Sequence, residues 1–437
     1  MSHHFMHHSV NRYPMNELPS QHVVDHLFRH ESGKMIAVLT RIFGIHNLEM
    51  AEDVVQEAFL KATQVWKFEL PDNPSAWLMK VAKNKALDLI RRQQNFQQYS
   101  KEVAHRLEQE TESTLDHFFH STEISDSQLR MIFTCCHPVL KDEDQVALTL
   151  KSVSGFGTRE IAKALLTNEE TIQKRLYRAR QFIQEKNIDF EIPAGKDLNK
   201  RLEIVHAVLY LLFNEGYNST KADELIQYDL CAEAMRLCKL LVDHPFLSSS
   251  SSPALLSLMC FHAARFNSRL DENNSIILLS QQDRTKWNEE LIKIGSHYLD
   301  LSSRGNVLSI YHMESAIAAE HSLTKSFEDT NWKRLLRLYD LLLQIKPSPL
   351  VELNRAIVLA EMGEIQSAIK TILAIPKIDQ LIASHYLYSA VLGDLYKRNN
   401  DPLNATEYLL EAYNLTTSEV EKNLITKKLE EVTRASG

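Results

Sequence analysis

Apolar residues recur at helical spacing along most of the 437-residue chain. The runs Val23–Leu39 and Ala51–Trp66 both place apolar side chains at the period of one helix face. The chain has only 11 glycines and 12 prolines, fewer than the roughly 7% and 5% usual in proteins. Because so few residues break the pattern, the sequence predicts an all-α protein.

Composition divides the helical pattern into parts. The histidine-rich residues 1–20 are predicted to be a disordered tail, because nothing nearby would fix the geometry of a metal site. A first helical domain is predicted at 21–97 and a second at 127–190. A larger helical region covers 198–435. It is interrupted by a serine-rich loop at 246–253 that we expect to be flexible, and by KPSP at 346–349, which predicts a stop between helices.

An acidic segment, residues 98–126, separates the first two domains. It carries seven acidic residues against Lys101 and Arg106. A stretch with this excess of charge and few apolar residues is typical of a linker.

The second domain contains the pattern of a helix-turn-helix. The amphipathic segment TREIAKALL is followed by Thr167 or Asn168, either of which can cap a second helix. Ile172, Leu176, Ala179 and Ile183 form a buried stripe on that helix. The face left outside carries the candidate contacts to an upstream DNA element, which are Thr171, Gln173, Lys174, Arg175, Arg178 and Arg180. An ordinary basic surface helix is the alternative.

A second basic helix, residues 74–92, follows the aromatic residues Trp66 and Phe68. Exposed rings on which bases stack, beside cations that meet the backbone, are what single-stranded DNA binding requires. We expect both of these rings to be exposed, whereas Trp77 is expected to pack inside with Leu78 and Val81.

Three segments carry a family resemblance. AEDVVQEAFLKA, WLMKVAKNKALDLIRR and TREIAKALLTNEETIQKRLYRAR resemble the extracytoplasmic-function group of sigma-70-type sigma factors. DSQLRMIFTCCHPVL, LYLLFNEGY and PSPLVELNRAI resemble the subgroup with a long tetratricopeptide-like C-terminal extension, so the likeness covers about 20 to 435. It implies an all-α fold with two small sigma-type domains, the second a helix-turn-helix, followed by a larger tetratricopeptide-like domain.

The resemblance also implies roles and partners. One helix would dock on core RNA polymerase, with the candidate residues Glu52, Asp53, Gln56 and Glu57. The region 66–92 would melt the downstream promoter element and hold a flipped base of the non-template strand, with the candidates Trp66, Phe68, Lys80, Lys83, Asn84, Asp88, Arg91 and Arg92. The upstream-element helix would enter the major groove of double-stranded promoter DNA.

Near the C-terminus, small and large apolar residues repeat at the tetratricopeptide spacing. The repeated positions are Ala356, Leu359, Gly363, Ala368 and Ile372, and then Leu392, Gly393, Tyr396, Ala405, Leu409 and Ala412. Any helical hairpin is the alternative, since small residues occur at every close helix crossing. We expect the extension to contact polymerase or to regulate it, with a regulatory protein or ligand as a further partner.

Other chemistry has little support in the sequence. Adjacent Cys135 and Cys136 with His137 lack the spaced ligand pairs of a zinc site, and Cys136 is expected to face the core. Asp283, Arg284 and Trp287 could line a small-molecule pocket, but a helix start capped by Asp283 with a local ion pair explains them more simply. We therefore predict no metal, no cofactor and no enzyme activity, and a cytoplasmic protein without a membrane segment.

Two other functional classes stay open. One is a helix-turn-helix transcriptional regulator with a tetratricopeptide sensor or interaction module. The other is an interaction scaffold whose sigma-like modules no longer bind DNA. The docking helix and its aromatic and basic partner favour the sigma factor, because neither alternative requires them.

Overall fold

The computed structural model describes residues 20–94, 117–165, 167–217, 227–247, 249–272 and 275–436. These residues form nineteen α-helices and short 3-10 turns, with no strand and one isolated bridge between Leu270 and Ile276. The all-α prediction is confirmed. The predicted tail, most of the acidic linker and the side chains of Arg91 and Arg92 lie outside the described residues.

The chain divides into two compact units after Leu212, and this division falls inside one helix. The first unit contains α1 (Ser20–Phe43), α2 (Leu48–Val65), α3 (Pro74–Gln94), α4 (Ser121–Cys135), α5 (Asp142–Ser152), α6 (Thr158–Ala164), α7 (Glu169–Glu185) and most of α8 (Lys196–Tyr217).

The long helix α1 is central to the first unit. It packs against α2 and α3 on one side and against α4 and α5 on another. Its side chains at Met35, Ala37, Val38 and Leu39 are fully buried. The six consecutive buried residues 35–40 are more than a one-sided amphipathic helix needs, and they agree with a helix that is covered on several faces.

The second unit continues with α9 (Tyr228–Asp243), α10 (Ser251–Ala263), α11 (Glu289–Ser302), α12 (Ile310–Ser322), α13 (Trp332–Ile345), α14 (Pro349–Glu361), α15 (Ile365–Leu373), α16 (Ile378–Ser384), α17 (Tyr386–Arg398), α18 (Pro402–Leu415) and α19 (Glu419–Ser436). None of the described helices is long and apolar enough to cross a membrane.

Within the second unit, α10 is buried nearly all round and packs against α9, α11 and α12. Composition predicted a loop over 246–253, but α10 begins at Ser251, so the last residues of that segment are helical. The stop predicted at 346–349 is confirmed, because α13 ends at Ile345 and α14 begins at Pro349.

The predicted repeat positions lie in helical hairpins. Helices α14 and α15 pack together, as do α17 and α18. All of the repeat alanines and leucines are buried: Ala356, Leu359, Ala368, Leu392, Ala405, Leu409 and Ala412. Small residues at the crossings let these helices approach closely, which is the role that the sequence predicts for them.

The acidic linker ends earlier than its composition indicates. Helix α4 begins at Ser121, inside the segment assigned to the linker. Glu123 and Asp126 do not belong to an extended linker, because the guanidinium of Arg41 on α1 lies 2.7 and 3.0 Å from their carboxylates. Ion pairs to another helix therefore place these two acids in the folded unit.

Candidate nucleic-acid interface

Helices α6 and α7 form the predicted helix-turn-helix. The Glu160 carboxylate accepts a hydrogen bond from the Gly157 N–H at 2.7 Å, and this contact caps the start of α6. Of the two candidate caps for α7, Asn168 is used, and its Oδ1 accepts from the Thr171 N–H at 2.8 Å. The same N–H would otherwise have no partner in the first turn of the helix.

The buried stripe of α7 is confirmed, since Ile172, Leu176, Ala179 and Ile183 are at most 4% exposed. Gln173 and Lys174 lie on the exposed face, as the stripe predicts. Tyr177 lies on that face as well and is 70% exposed. Tyr177 is not among the sequence candidates, because only cations and small polar groups on this face were considered and not aromatic rings.

The sequence predicted that the three arginines of α7 contact DNA. In the structure each of them is instead paired with a carboxylate of the protein. Arg175 lies 3.0 Å from the carboxylate of Glu143, while Arg178 makes a bidentate contact with Asp144, which is fully buried. Hydrogen bonding to Asp144 raises the pKa of Arg178. Arg180 reaches α2, where its Nη2 lies 2.6 Å from the carboxylate of Glu52. Thr171 is half-buried behind the cap.

The aromatic residues between α2 and α3 have different environments. Phe68 is 91% exposed, as expected. Trp66 is only 3% exposed, so the expectation that both rings are exposed is wrong. Its ring packs edge-on against Trp77 at 5.3 Å, because α2 ends there and α3 folds back against it. Trp77 is half-buried and follows the predicted inward direction.

The polar candidates on α3 lie mainly on its solvent side. Lys80, Asn84 and Asp88 are exposed and Lys83 is half-buried. Lys85, which is not a candidate residue, lies 2.5 Å from the carboxylate of Glu57 on α2. Arg91 and Arg92 belong to the helix, but nothing about their side chains is described.

The candidate docking residues on α2 divide into two groups. Asp53, Gln56 and Glu57 are exposed. Glu52 is 7% exposed and lies between Arg180 and Ser152, whose hydroxyl donates to it at 3.4 Å. Glu52 was predicted to dock on polymerase together with the other three residues. Only its contact with Arg180 of α7 shows that it is covered.

Helices α1 and α2 are held against α5–α7 by a set of contacts that we call the clasp. It comprises Arg29 with Phe156 and Glu160, Ser32 and Gly33 with Val153–Gly155, and Glu52 with Ser152 and Arg180. The Arg29 guanidinium lies 3.9 Å from the centroid of the Phe156 ring and is paired with the Glu160 carboxylate. The two predicted DNA-binding modules therefore touch. The contact includes Glu52, a candidate docking residue, and Arg180, a candidate for the upstream element.

Two glycines make the clasp tight. A Cβ on Gly33 would lie 1.8 Å from the carbonyl oxygen of Val153, a distance that real contacts never show. Gly155 has φ of +68°, and a Cβ there would lie 2.1 Å from Ser32 Oγ. Gly33 meets backbone and therefore needs glycine as long as α1 and the α5–α6 connection stay together, whereas a side chain at Gly155 requires the Ser32 side chain to shift and adds the strain of a positive φ.

The cysteines next to His137 belong to the core. Cys135 and Cys136 are both buried, and burial raises the pKa of Cys136 to about 12. The expectation that Cys136 faces the core is confirmed. Across the described residues, no cluster of three metal-ligating side chains is present.

Comparison with known families matches three parts of the chain. Residues 27–96 match Sigma-70 region 2, residues 130–183 match Sigma-70 region 4, and residues 201–303 match a family of unknown function, DUF6596. An uncharacterized protein of Rhizobium meliloti (strain 1021) is 31% identical over 402 residues, which cover 90% of this chain and 92% of that protein. No solved structure matches the chain.

Proposed function

Because the chain belongs to the sigma-70 family of RNA polymerase sigma factors, we propose that it directs core polymerase to promoters with two recognition elements. Sigma-70 regions 2 and 4 bind core RNA polymerase and promoter DNA, and sigma factors are initiation factors rather than enzymes. The finer assignment is to the extracytoplasmic-function group with a tetratricopeptide-like extension. Sigma factors act in the cytoplasm with RNA polymerase, and we propose that this chain acts there as well.

The observation that carries this proposal is the outward face of α7. Gln173, Lys174 and Tyr177 share that face on the second helix of a helix-turn-helix. In the major groove, a glutamine amide pairs bidentately with adenine, and a lysine meets guanine or phosphate. These three side chains, rather than the arginines behind them, are the proposed readers of the upstream element in this conformation.

Strand opening is assigned to the connection between α2 and α3. Phe68 offers an exposed ring on which an unpaired base can stack, which is worth about 1–3 kcal/mol. Extruding a base costs a few kcal/mol, so one ring offsets much of that cost. Lys80 and Asn84 on the exposed side of α3 would meet the backbone and edges of the melted strand. Asp53 and Gln56 remain accessible on α2 for polymerase.

Trp66 has a supporting role in this mechanism. Its ring fixes the end of α2 against Trp77 and so sets the position from which Phe68 projects. Capture of a base by Trp66 itself would require the two tryptophans to separate. The exposed ring is therefore the proposed stacking surface, and the buried ring is its support.

Transcription in vitro with core polymerase tests the proposal. The wild-type chain should bind core and start transcription at a defined promoter, with permanganate-reactive thymines marking the open region. Phe68→Ala should retain core binding and lose reactive thymines. Phe246→Ala is the matched control, because Phe246 is 79% exposed in the second unit. A wild-type chain that neither binds core nor starts at a defined site would overturn the proposal.

A helix-turn-helix regulator is the rival, and the same assay separates the two. Such a regulator would bind duplex DNA without core polymerase and would not open it. The exposed Phe68 and the accessible face of α2 would then have no assigned role, which is why we prefer the sigma factor. The C-terminal extension is proposed to contact polymerase or to control it.

A further inference from the structure

Six side chains meet inside the second unit in what we call the arginine cluster: His262, Arg265, Arg269, Arg284, Trp287 and His321. They come from the end of α10, the segment after it, the 3-10 turn before α11 and the end of α12. The guanidinium carbons of Arg284 and Arg265 lie 4.6 and 5.5 Å from the centroid of the Trp287 ring. Arg269 lies over Tyr217 at 3.8 Å.

Two arginines of this cluster have no carboxylate in direct contact. Among the described residues, Arg265 and Arg284 form no ion pair, and Glu328 and Asp329 act on Arg284 only from beyond ion-pair distance. Arg265 donates to the Gln282 side chain, and one nitrogen of Arg284 donates to carbonyls at the end of α12. Neutral acceptors satisfy hydrogen bonds but do not cancel a full charge in a site partly removed from water.

Two donors in the cluster have no acceptor. The second terminal nitrogen of Arg284 and the indole nitrogen of Trp287 are buried and have no hydrogen-bond partner within the described part of the chain. Trp287 is only 5% exposed. Both groups can only donate, and a buried donor left unpaired destabilises the folded state. An acceptor placed between them would satisfy both groups.

The two histidines add no charge of their own. Burial and the neighbouring arginines lower the pKa of His262 to about 3 and that of His321 to about 4, so both are neutral near pH 7. The Nδ1 atoms of both rings are also buried without a partner. A neutral imidazole can supply a further donor, so these rings suit the same ligand.

From this geometry we propose that the arginine cluster binds an oxyanion, either a phosphate or a carboxylate group of a small ligand. The planar guanidinium fork matches both groups. Such a group would supply acceptors to Arg284 and Trp287 and a counter-charge to Arg265. This site is assigned independently of the proposed function and would stand if the chain were not a sigma factor.

Thermal unfolding of the full chain in inorganic phosphate tests this site. The midpoint temperature should rise with phosphate and saturate, compared with chloride at the same ionic strength. A parallel titration with acetate shows whether a carboxylate serves instead. Arg265→Gln should abolish the rise. Arg355→Gln should preserve it, because Arg355 in the same unit is neutralised by Asp340 at 2.6 Å.

Trp287→Phe gives a second test that keeps the ring and removes only the N–H. It should weaken phosphate binding several-fold, as measured by calorimetry, and it decides the matter if Arg265→Gln does not fold. If water alone fills the site, phosphate and chloride will give the same midpoint temperature. That result, or an equal rise in wild type and Arg265→Gln, would overturn the proposal.

The clasp carries a second, independent inference, which rests on the proposed function. We infer that the clasp is an autoinhibited state that must open before the chain can engage polymerase and both promoter elements. It covers Glu52, a candidate docking residue, with Arg180 from the upstream-element helix. A site on α2 that is occupied by α7 cannot meet core polymerase at the same time.

The contacts that hold α7 over α2 can open while α1 stays packed against α4. The clasp contacts are ion pairs, a cation–π contact and two glycine approaches, whereas the apolar stripe of α7 is buried mainly against α5 and α6. Charged groups regain hydration when they separate, so such contacts contribute little net free energy. Binding to polymerase can therefore replace them.

A disulfide gives the sharpest test of the clasp. Ser32 Cβ lies 3.5 Å from the ideal Cβ position of Gly155, which is within disulfide range. The five native cysteines are buried and do not compete. The oxidised Ser32→Cys/Gly155→Cys chain should lose core binding, and dithiothreitol should restore it. Equal binding in both redox states would overturn autoinhibition, while failure of wild type to bind core would instead count against the proposed function.

Gly33→Ala opens the same contact from the other direction. Alanine favours helix more than glycine does, so α1 itself is not weakened, but the new methyl group collides with the Val153 carbonyl. Core affinity should rise several-fold, and the amides of 153–156 should exchange faster with solvent. Lys34→Ala, the neighbouring position outside the clasp, is the control. Unchanged affinity and exchange in Gly33→Ala would overturn the inference.

Discussion

The arginines of the first unit and those of the arginine cluster differ in what surrounds them. On α7, Arg175, Arg178 and Arg180 each have a carboxylate within 3.0 Å. In the second unit, Arg265 and Arg284 rest on Trp287 and donate to neutral groups. The arginines of α7 already have carboxylate partners within the protein. Arg265 and Arg284 have no carboxylate in contact, and one nitrogen of Arg284 has no acceptor in the described part of the chain.

This difference shows why cation density is an incomplete guide to ligand sites. The sequence concentrates cations on α7, yet the folded protein satisfies three of them internally and leaves Gln173 and Lys174 for a partner. The second unit is not notably basic in sequence, yet it brings arginines from separate segments together. A cation indicates a polyanion only when the fold leaves it without an acid.

The largest effect that sharpens this comparison is expected at Arg178. Arg178→Ala should lower the free energy of unfolding of the first unit by about 3 kcal/mol, because it leaves the fully buried Asp144 charge without its partner. Urea unfolding followed by circular dichroism measures this change. Lys174→Ala on the same helix should change it by less than about 0.5 kcal/mol. Equal stabilities would show that Arg178 is not a structural residue.

Acidification should weaken the second unit through its buried histidines. His262 and His321 have pKa values lowered to about 3 and about 4, whereas an unfolded histidine titrates near ~6.5. Between these values the unfolded chain binds more protons, so the free energy of unfolding falls as pH falls. The expected slope is about 1.4 kcal/mol per pH unit for each histidine.

A variant isolates this contribution from that of the carboxylates. His321→Gln should show a shallower loss of stability than wild type between pH 6.5 and pH 4.5. The arginines facing the ring, Arg265 and Arg284, stay charged over this range, so they do not alter the slope. Parallel pH dependences of the two proteins would contradict the assignment of His321 as neutral in the folded state.

The exposed face of α7 should control promoter specificity more than stability. Gln173→Ala should reduce discrimination between the preferred upstream element and a base-substituted one by about 1–3 kcal/mol. Gel shifts with holoenzyme on the two templates measure it. Gln181→Ala, one helical turn beyond Tyr177, is the control on the same helix, and an equal loss in both variants would argue against a specific base contact.

The smallest effect is expected from Lys174, which meets phosphate in the proposed complex. Its ion pair with Glu170 is highly exposed at both ends, so it should be exchanged for DNA at little cost. Lys174→Gln should reduce the slope of log affinity against log salt by about 1 and leave specificity unchanged. An unchanged slope would place Lys174 away from the DNA backbone.

Much of the fold could be predicted from local patterns. The apolar period predicted the helices, and the stripe on α7 correctly divided its buried and exposed faces because that periodicity is a property of a single helix. Turn residues predicted the stop at 346–349. Phe68 was correctly expected to be exposed, since it lies in the short connection between α2 and α3 and neither helix covers its ring.

Errors arose where a distant element decides the environment. Trp66 is buried because α3 folds back against the end of α2, and its own neighbours in sequence do not show this. Glu52 lies on a predicted polar position of α2, yet Arg180, 128 residues later, covers it. The orphaned donors of Arg284 and Trp287 depend on which carbonyls α12 brings to them.

The sequence by itself determined the helices, their apolar faces, the family and the residue types available for DNA and polymerase, because each follows from local spacing or shared motifs. Only the tertiary structure decided which charges are already satisfied. Electrostatic pairing depends on distances of a few ångströms between segments far apart in the chain, and no local pattern fixes those distances.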